Sequence, residues 1–332
     1  MLMQAIVQRK YGSPADLNLQ QVEIPTLKPD QVLIRVVASA VNDFDLGILR
    51  GKPLFMRLYL GLRRPKVRIM GCEVAGVVEA VGKDVTRHQL GQSVYGDLSE
   101  RGFGAFAEFV ATHEDAVVPM PANLSFEQAA AIPHAAMLAM QSLIDIAAMA
   151  PGQTLLINGA GGGVGTLAVQ LAKAKGVAAT GVDNTAKQSY MRSIGFEHVI
   201  DYTVEDFTRS EKLYDLILDT KTTRSPFDYV RVLAPDGTYV TVGGSMPRVF
   251  QCVILSRWIK ARKNRNIRML ALKPNKGLEY FTQLIEAGVI APVIDSRFAL
   301  KDVPDALRHF EAAAHQGKVV ICVADMSKAS AG

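Results

Sequence analysis

Cysteine is scarce in this 332-residue chain, and the scarcity removes whole classes of architecture. Cys72, Cys252 and Cys322 are odd in number and far apart, so they build neither a disulfide framework nor a four-cysteine zinc lobe, and buried free thiols are expected. Long apolar runs are missing too: none approaches the roughly 20 residues of a membrane-crossing helix. The opening residues, MLMQAIVQRKYG, lack the basic segment, apolar core and cleavage site of a secretory signal, which makes the cytosol the expected location. Charge of one sign is not in large excess, with 37 Lys and Arg against 32 Asp and Glu for a net charge of +5. The basic residues are nevertheless clustered. Arg57, Arg63, Arg64, Lys66 and Arg68 share one acid-free stretch, and Arg257, Lys260, Arg262, Lys263, Arg265, Arg268 and Lys273 share another. Neither shows a nucleic-acid motif or interleaved aromatics, so no nucleic acid and no membrane is expected as a partner; a solvated face, or steering of a phosphorylated cofactor, accounts for both.

The length exceeds one typical core and fits two domains, and a composition of 49% hydrophobic and 21% charged residues is that of an ordinary globular enzyme. The most informative stretch is 154–176, TLLINGAGGGVGTLAVQLAKAKG. Leu155, Leu156 and Ile157 read as a buried strand. A turn follows with Gly159, Gly162, Gly163, Val164 and Gly165, and Leu167, Val169, Leu171 and Ala172 then begin a helical apolar stripe. Such a turn lets the backbone approach phosphate oxygens and aims the helix N-terminus at an anion, which is how a dinucleotide pyrophosphate is held. A second strand, ATGVD, ends at Asp183, near the spacing expected for a ribose-binding acid.

The first 120 or so residues read as β-rich, with strand-like runs at 32–41, 73–82 and 105–112, and suggest a partly open antiparallel barrel. From Ser125 the pattern turns helical. Ser125 with Gln128 has the capping-box spacing, and Pro133 is expected to break the apolar segment into two helices. Beyond the glycine turn, strands at 177–182, 198–201, 214–219, 238–243 and 267–272 alternate with helices. Six strands so connected imply a doubly wound parallel sheet with its cofactor at the carboxyl ends. The tail, PVIDSRFALKDVPDALRHFEAAAHQGKVVICV, is strand, helix and strand and returns to the first domain; SKASAG at the end is expected to fray.

Taken together, SAVNDFDLGILRG, GCEVAGVVEAVG, the glycine turn, GFEHVIDY, YDLILDT, GTYVTVGG and HQGKVVICV resemble the medium-chain dehydrogenase/reductase superfamily, in its zinc-independent quinone oxidoreductase branch. The resemblance implies an α/β chain: a GroES-like barrel over 1–123 and 291–332 around a Rossmann domain over 124–290. It also implies NADPH as hydride donor and quinones or α,β-unsaturated carbonyls as acceptors, with a homodimer by edge pairing near IRMLAL, or a monomer. Zinc-dependent relatives of the superfamily take ligands near the positions of Asn42, Cys72 and His134. Asn42 is a poor ligand and no cysteine lobe is present, so no metal is expected, and a zinc alcohol dehydrogenase with an unusual Asn42, Cys72 and His134 site stays as an alternative. A low-turnover cofactor-binding redox sensor using Cys72 is another.

Asp183 favours NADH, because it would repel a 2′-phosphate, while Lys187 and Tyr202 resemble a pair that holds that phosphate, with Asn184 and Thr185 adding hydrogen bonds. NADPH is expected on the resemblance, with NADH as a near-equal alternative. Gly243 and Gly244 end a strand where backbone can approach the cofactor. Lys318 either resembles a family lysine near the cofactor or forms a surface salt bridge. At the reacting end, Asn42 either orients nicotinamide and acceptor or caps a turn, Asp45 organises Asn42 or a water, and Tyr95 either lines the substrate cleft or belongs to the core. Tyr59 sits in a loop, MRLYLGLRRP, able to cover a small-molecule substrate.

Overall fold

The computed structural model describes residues 1–324, so the fraying expected of SKASAG lies outside the described residues. The chain divides into two compact units. One comprises Met1–His134, Pro274–Glu286 and the chain from Pro292; the other comprises Ala135–Lys273 and Ala287–Ala291. Residues 124–134 and 274–286 therefore go with the first unit, where the sequence placed them in the second. Hydrogen bonds account for the difference. Asn275 donates to the carbonyls of Asp97 and Ala116, the Thr282 hydroxyl meets that of Tyr95, and the His134 amide donates to Glu73.

The second unit is built on a six-stranded parallel sheet in the order His198–Asp201, Ala178–Asp183, Thr154–Asn158, Tyr214–Asp219, Leu233–Thr241, Asn266–Met269. Central strands such as Thr154–Asn158 are apolar without alternation, since helices cover both faces of a parallel sheet. The direction of winding reverses between Thr154–Asn158 and Tyr214–Asp219, the switch point at which doubly wound sheets bind ligands. Three strands depart from their sequence bounds, the one expected at 177–182 running Ala178–Asp183. Leu233 already pairs with Tyr214, which starts its strand five residues early, and the last strand stops at Met269.

In the first unit, Leu2–Val7 pairs antiparallel with Asn18–Glu23. The main sheet runs Ile294–Ala299, Lys318–Cys322, Gln31–Ala40, Glu73–Val81, Ser93–Asp97, Val118–Pro119, and Phe109–His113 also pairs with Gln31–Ala40. The run expected at 105–112 is thus strand only from Phe109. Gln31–Ala40 is the hub of this sheet. It pairs with three strands, all antiparallel, and Val32, Ile34 and Val36 point into a core shared with Val74, Val78, Val94 and Val110. Ser125 caps Phe126–Ala130 through the box expected of it: the Gln128 amide donates to Ser125 Oγ, and the Ser125 amide to Gln128 Oε1. A separate helix begins at Pro133, as expected, and runs to Met140.

Candidate active site

At the glycine turn, each glycine answers a different demand. Gly159 sits in the left-handed region at φ +83°, and a Cβ on Gly165 would lie 2.3 Å from the Ala160 carbonyl oxygen, so the protein itself requires glycine at both. Gly162 differs. Its backbone is extended at φ −88° and a Cβ there would meet nothing closer than the Gly159 oxygen at 3.6 Å, so its bare backbone leaves room for something the protein does not supply. Gly162 is the N-cap of Gly163–Ala174, and no side chain caps that helix, so its first N–H groups and positive end are suited to an anion.

Asp183 closes the neighbouring strand and turns inward. Its Oδ2 accepts from the Gly161 amide and its Oδ1 from the Asn184 amide, both at 2.9 Å, and the buried Lys187 ammonium lies 3.6 Å from Oδ1. Asn184 Oδ1 is buried without a hydrogen-bond partner, an acceptor suited to a hydroxyl. Thr185 bonds Asp201, and Tyr202 stands half out in solvent with its amide on the Asp183 carbonyl. These residues fit the adenosine half of a nicotinamide cofactor. Further along the sheet edge, a Cβ on Gly244 would lie 1.8 Å from the Lys221 carbonyl oxygen, while Gly243 is open.

In the first unit, sheet register gathers a second group of polar side chains. Ala40 pairs with both Val320 and Glu73, and Glu73 pairs with Asp97. Continuing the antiparallel register two residues beyond Ala40 sets Asn42 across from Lys318. The Lys318 ammonium accordingly donates to Asn42 Oδ1 at 2.6 Å and to Glu73 Oε2, and is buried. The Asn42 amide nitrogen donates to Glu73 Oε2 at 2.7 Å and Cys72 Sγ at 3.2 Å. His134 Nδ1 meets Asp97 Oδ2 at 2.7 Å, and the ring stacks on Phe44 at 6.3 Å. Asp45 organises Asn42 as expected, accepting from its amide at 2.9 Å and from that of Gly71 at 3.1 Å. Asn42 is also the cap of Asp43–Arg50, one of the two roles expected of it.

Tyr95 is placed in the core instead of a cleft. It is wholly buried, its hydroxyl lies 2.5 Å from that of Thr282, and burial pushes its pKa up to about 12. Lys318, expected near the cofactor or in a surface salt bridge, forms an ion pair, but a buried one beside Asn42. In the expected covering loop, Tyr59 is largely exposed, within short helical turns at Leu54–Met56 and Arg57–Leu60.

Three carboxylates share this pocket of charge with two cations. Burial drives Asp45 up to about 7 against the pull of its two backbone donors. Burial also opposes charge on Asp97 and His134, yet their mutual hydrogen bond and attraction win, lowering the acid and raising the base. The Cys72 thiol is pushed well up, first by burial and then by Asp45, Asp97 and Glu73, which holds it as an inert thiol and removes the basis of the redox-sensor alternative. The same contacts bear on zinc. Asn42 offers no free oxygen, because Lys318 occupies it. Asp97 joins Cys72 and His134 with donor atoms within 4.8 Å of one another, and the acid and the imidazole are hydrogen-bonded to each other. Asn42 is thus withdrawn from the set that the zinc alternative requires, and the donors that do converge are Cys72, Asp97 and His134.

Residues 28–122 match the alcohol dehydrogenase GroES-like domain and residues 194–321 a zinc-binding dehydrogenase model. The chain is 35% identical to 2-methylene-furan-3-one reductase of Solanum lycopersicum, over 94% of this chain and 76% of that one. The chain belongs to the medium-chain dehydrogenase/reductase superfamily, in its quinone oxidoreductase branch. A chloroplastic NADPH-dependent alkenal/one oxidoreductase of Arabidopsis thaliana is 34% identical over 96% of this chain and 79% of its own. Among solved structures, the quinone oxidoreductase of Coxiella burnetii superposes with a TM-score of 0.86 at 26% identity, covering 98% of this chain and all of that one. As a member of this superfamily the protein is a nicotinamide-dependent oxidoreductase.

Sequence reasoning passed over Asp97. The available signal was an acid ending an otherwise apolar strand, SVYGD, where a buried charge demands a partner. Two outcomes test the cluster. Lys318→Met strands the Glu73 charge and costs about 3–5 kcal/mol in denaturant unfolding, whereas adding Glu73→Gln restores much of the loss; equal losses in both variants would sink the ion-pair account. The His134 contribution is present below pH 6.5 and fades as pH climbs through its raised pKa; that of Asp97 is present above pH 3.8 and fades as pH falls through its lowered one. Thermal unfolding of wild type against Asp97→Asn will therefore differ most between these values and converge at alkaline pH.

Proposed function

We propose that this protein transfers hydride from a reduced nicotinamide cofactor to a quinone or to the β-carbon of an α,β-unsaturated carbonyl, without a metal. The observation that carries the reading is Asn42 Oδ1 held by the Lys318 ammonium, which puts a fixed protein cation where a zinc-dependent relative has a ligand. The similarity to an alkenal/one oxidoreductase and to quinone oxidoreductases supports the same class of acceptor. The bound cofactor supplies the hydride. Negative charge then builds on the acceptor oxygen, and Lys318 and His134 are the cations of the first unit able to balance it. Asn42 and Asp45 act as positioning residues: Asn42 spends its amide on Glu73, Cys72 and Lys318, and Asp45 holds the Asn42 backbone. The acceptor takes its proton from water, and no general acid is assigned.

At the adenosine ribose, the acceptors Asp183 and Asn184 suit hydroxyls, while Lys187 offsets the Asp183 charge, so NADH and NADPH are both accepted. The protein works in the cytosol, and the outer strand Asn266–Met269 offers an edge for a homodimer.

Steady NADPH oxidation with a simple quinone or enone, unaffected by a strong chelator, is the expected result; chelator-sensitive turnover of an alcohol would overturn the reading. Gly162→Val leaves the melting temperature unchanged and raises the cofactor KM at least about tenfold, because only a ligand needs that space. Gly165→Val, by contrast, lowers stability. Asp183→Ser shifts kcat/KM about tenfold toward NADPH, and Lys187→Ala shifts it the other way; unchanged ratios would remove both residues from cofactor choice.

A further inference from the structure

Phe103 holds a backbone conformation that its own side chain opposes. Its φ is +65°, in the left-handed region, and among the seven described residues other than glycine with positive φ it is the only aromatic one. Cβ crowds the backbone there, so a bulky residue is a true outlier, and glycine or asparagine would keep the same turn with less strain. Gly102 and Gly104, at φ +111° and +115°, flank it, which leaves Phe103 as the single side chain of a three-residue stretch of positive φ. The surroundings hold the stretch in place. The Phe103 amide donates to the Leu98 carbonyl at 3.3 Å, the Gly104 and Ala105 amides donate to the Gly71 carbonyl at 3.1 Å, and the Leu98 amide donates to the Cys72 carbonyl at 2.6 Å.

The position of the ring is what this strain secures. Phe103 lies 5.5 Å from Phe44 with the rings tilted by 56°, and Phe44 is parallel to within 10° with the His134 ring at 6.3 Å. Both phenyl rings are half-buried, packing against the core that holds Val41, Leu46, Met70 and Phe106 while keeping part of their surface open. Asp97 stands at the head of the loop that carries Phe103, and Phe44 lies between Asn42 and Asp45. Two separate segments thus bring aromatic rings up to the polar group of the first unit. His134 uses Nδ1 on Asp97, and its Nε2 has no hydrogen-bond partner among the described residues. No cation of the protein competes for the rings: Arg101, two residues from Phe103, is paired with Asp115. A residue that only fills a core needs no strained backbone, and strain of this kind gathers where a site must be shaped.

We propose that Phe103 and Phe44 form the wall that selects the acceptor, favouring enones and quinones whose reacting double bond is conjugated with an aromatic ring; this rests on the reading of the protein as an enone and quinone reductase. Two rings tilted against each other present both a face and an edge, and a flat aryl group packs on either arrangement. With the aryl group on the phenyl wall, the conjugated carbonyl extends toward His134, one of the two cations able to balance charge on its oxygen. An alkyl enone lacks the ring that the wall would grip. The wall makes and breaks no bond; Phe103 and Phe44 act by orienting the acceptor.

The test uses the full chain with NADPH and compares 4-phenylbut-3-en-2-one with pent-3-en-2-one. The wild type reduces both. Phe103→Leu lowers the ratio of kcat/KM for the aryl enone over the alkyl enone at least about fivefold, Phe44→Leu lowers it in the same direction, and Phe103→Tyr restores it. A merely structural role would depress both acceptors alike and leave the ratio where it was. Should Phe103→Leu fail to fold, Phe103→Asn suits the left-handed backbone, removes the ring and gives the same fall. A ratio unmoved by loss of the Phe103 ring overturns the proposal, as does a wild type that reduces pent-3-en-2-one and leaves the aryl enone untouched. Turnover of neither enone nor a simple quinone overturns the hydride-transfer reading itself, and the proposal with it.

Discussion

A buried lysine between two strand ends is the constraint on which the first unit turns. Lys318 reaches Glu73 and Asn42 only because Lys318–Cys322 and Glu73–Val81 lie on either side of Gln31–Ala40 in one register. A slip of one residue in either pairing would turn these side chains to the opposite face and bury unpaired charge. The apolar strands supply the energy of folding, and in the observed alignment the buried charges are paired. The same alignment sets Glu73 beside Asp97; these acids raise the His134 pKa against its burial, and they add to the burial that pushes the Cys72 thiol up.

The second unit solves its problem with missing atoms. Gly159 and Gly165 are demanded by the protein's own backbone, and Gly162 is demanded by nothing within it. The fold keeps an uncapped helix end and an open glycine in one turn and, after the next strand, a buried Asn184 oxygen without a hydrogen-bond partner, all groups suited to a ligand. In the first unit the corresponding feature is the Lys318 ammonium, buried against Asn42 and Glu73.

Legibility in the sequence followed the range of the interactions. The glycine turn, the Ser125 capping box, the break at Pro133 and all six parallel strands depend on neighbours a few residues away, and each was readable. Asp183 was readable as the acid that closes the second strand, but not its inward turn onto Gly161. Tyr95 was misplaced, because an aromatic in a strand looks alike whether its ring lines a cleft or a core. Asp97 and the role of Lys318 were not readable, since their partners lie 37 and 245 residues away. The assignment of 274–286 to the first unit likewise rests on Asn275 and Thr282 reaching strands far back in the chain.

The sequence by itself determined that a dinucleotide is bound, that its turn joins a parallel sheet, and that no cysteine lobe holds zinc. These follow from local backbone demands and from residue inventory. Only the tertiary structure decided which groups stand together: Lys318 with Asn42 and Glu73, Asp97 with His134, and Phe103 with Phe44 beside them. Register and helix packing set those distances, and neither is a property of any short stretch of chain.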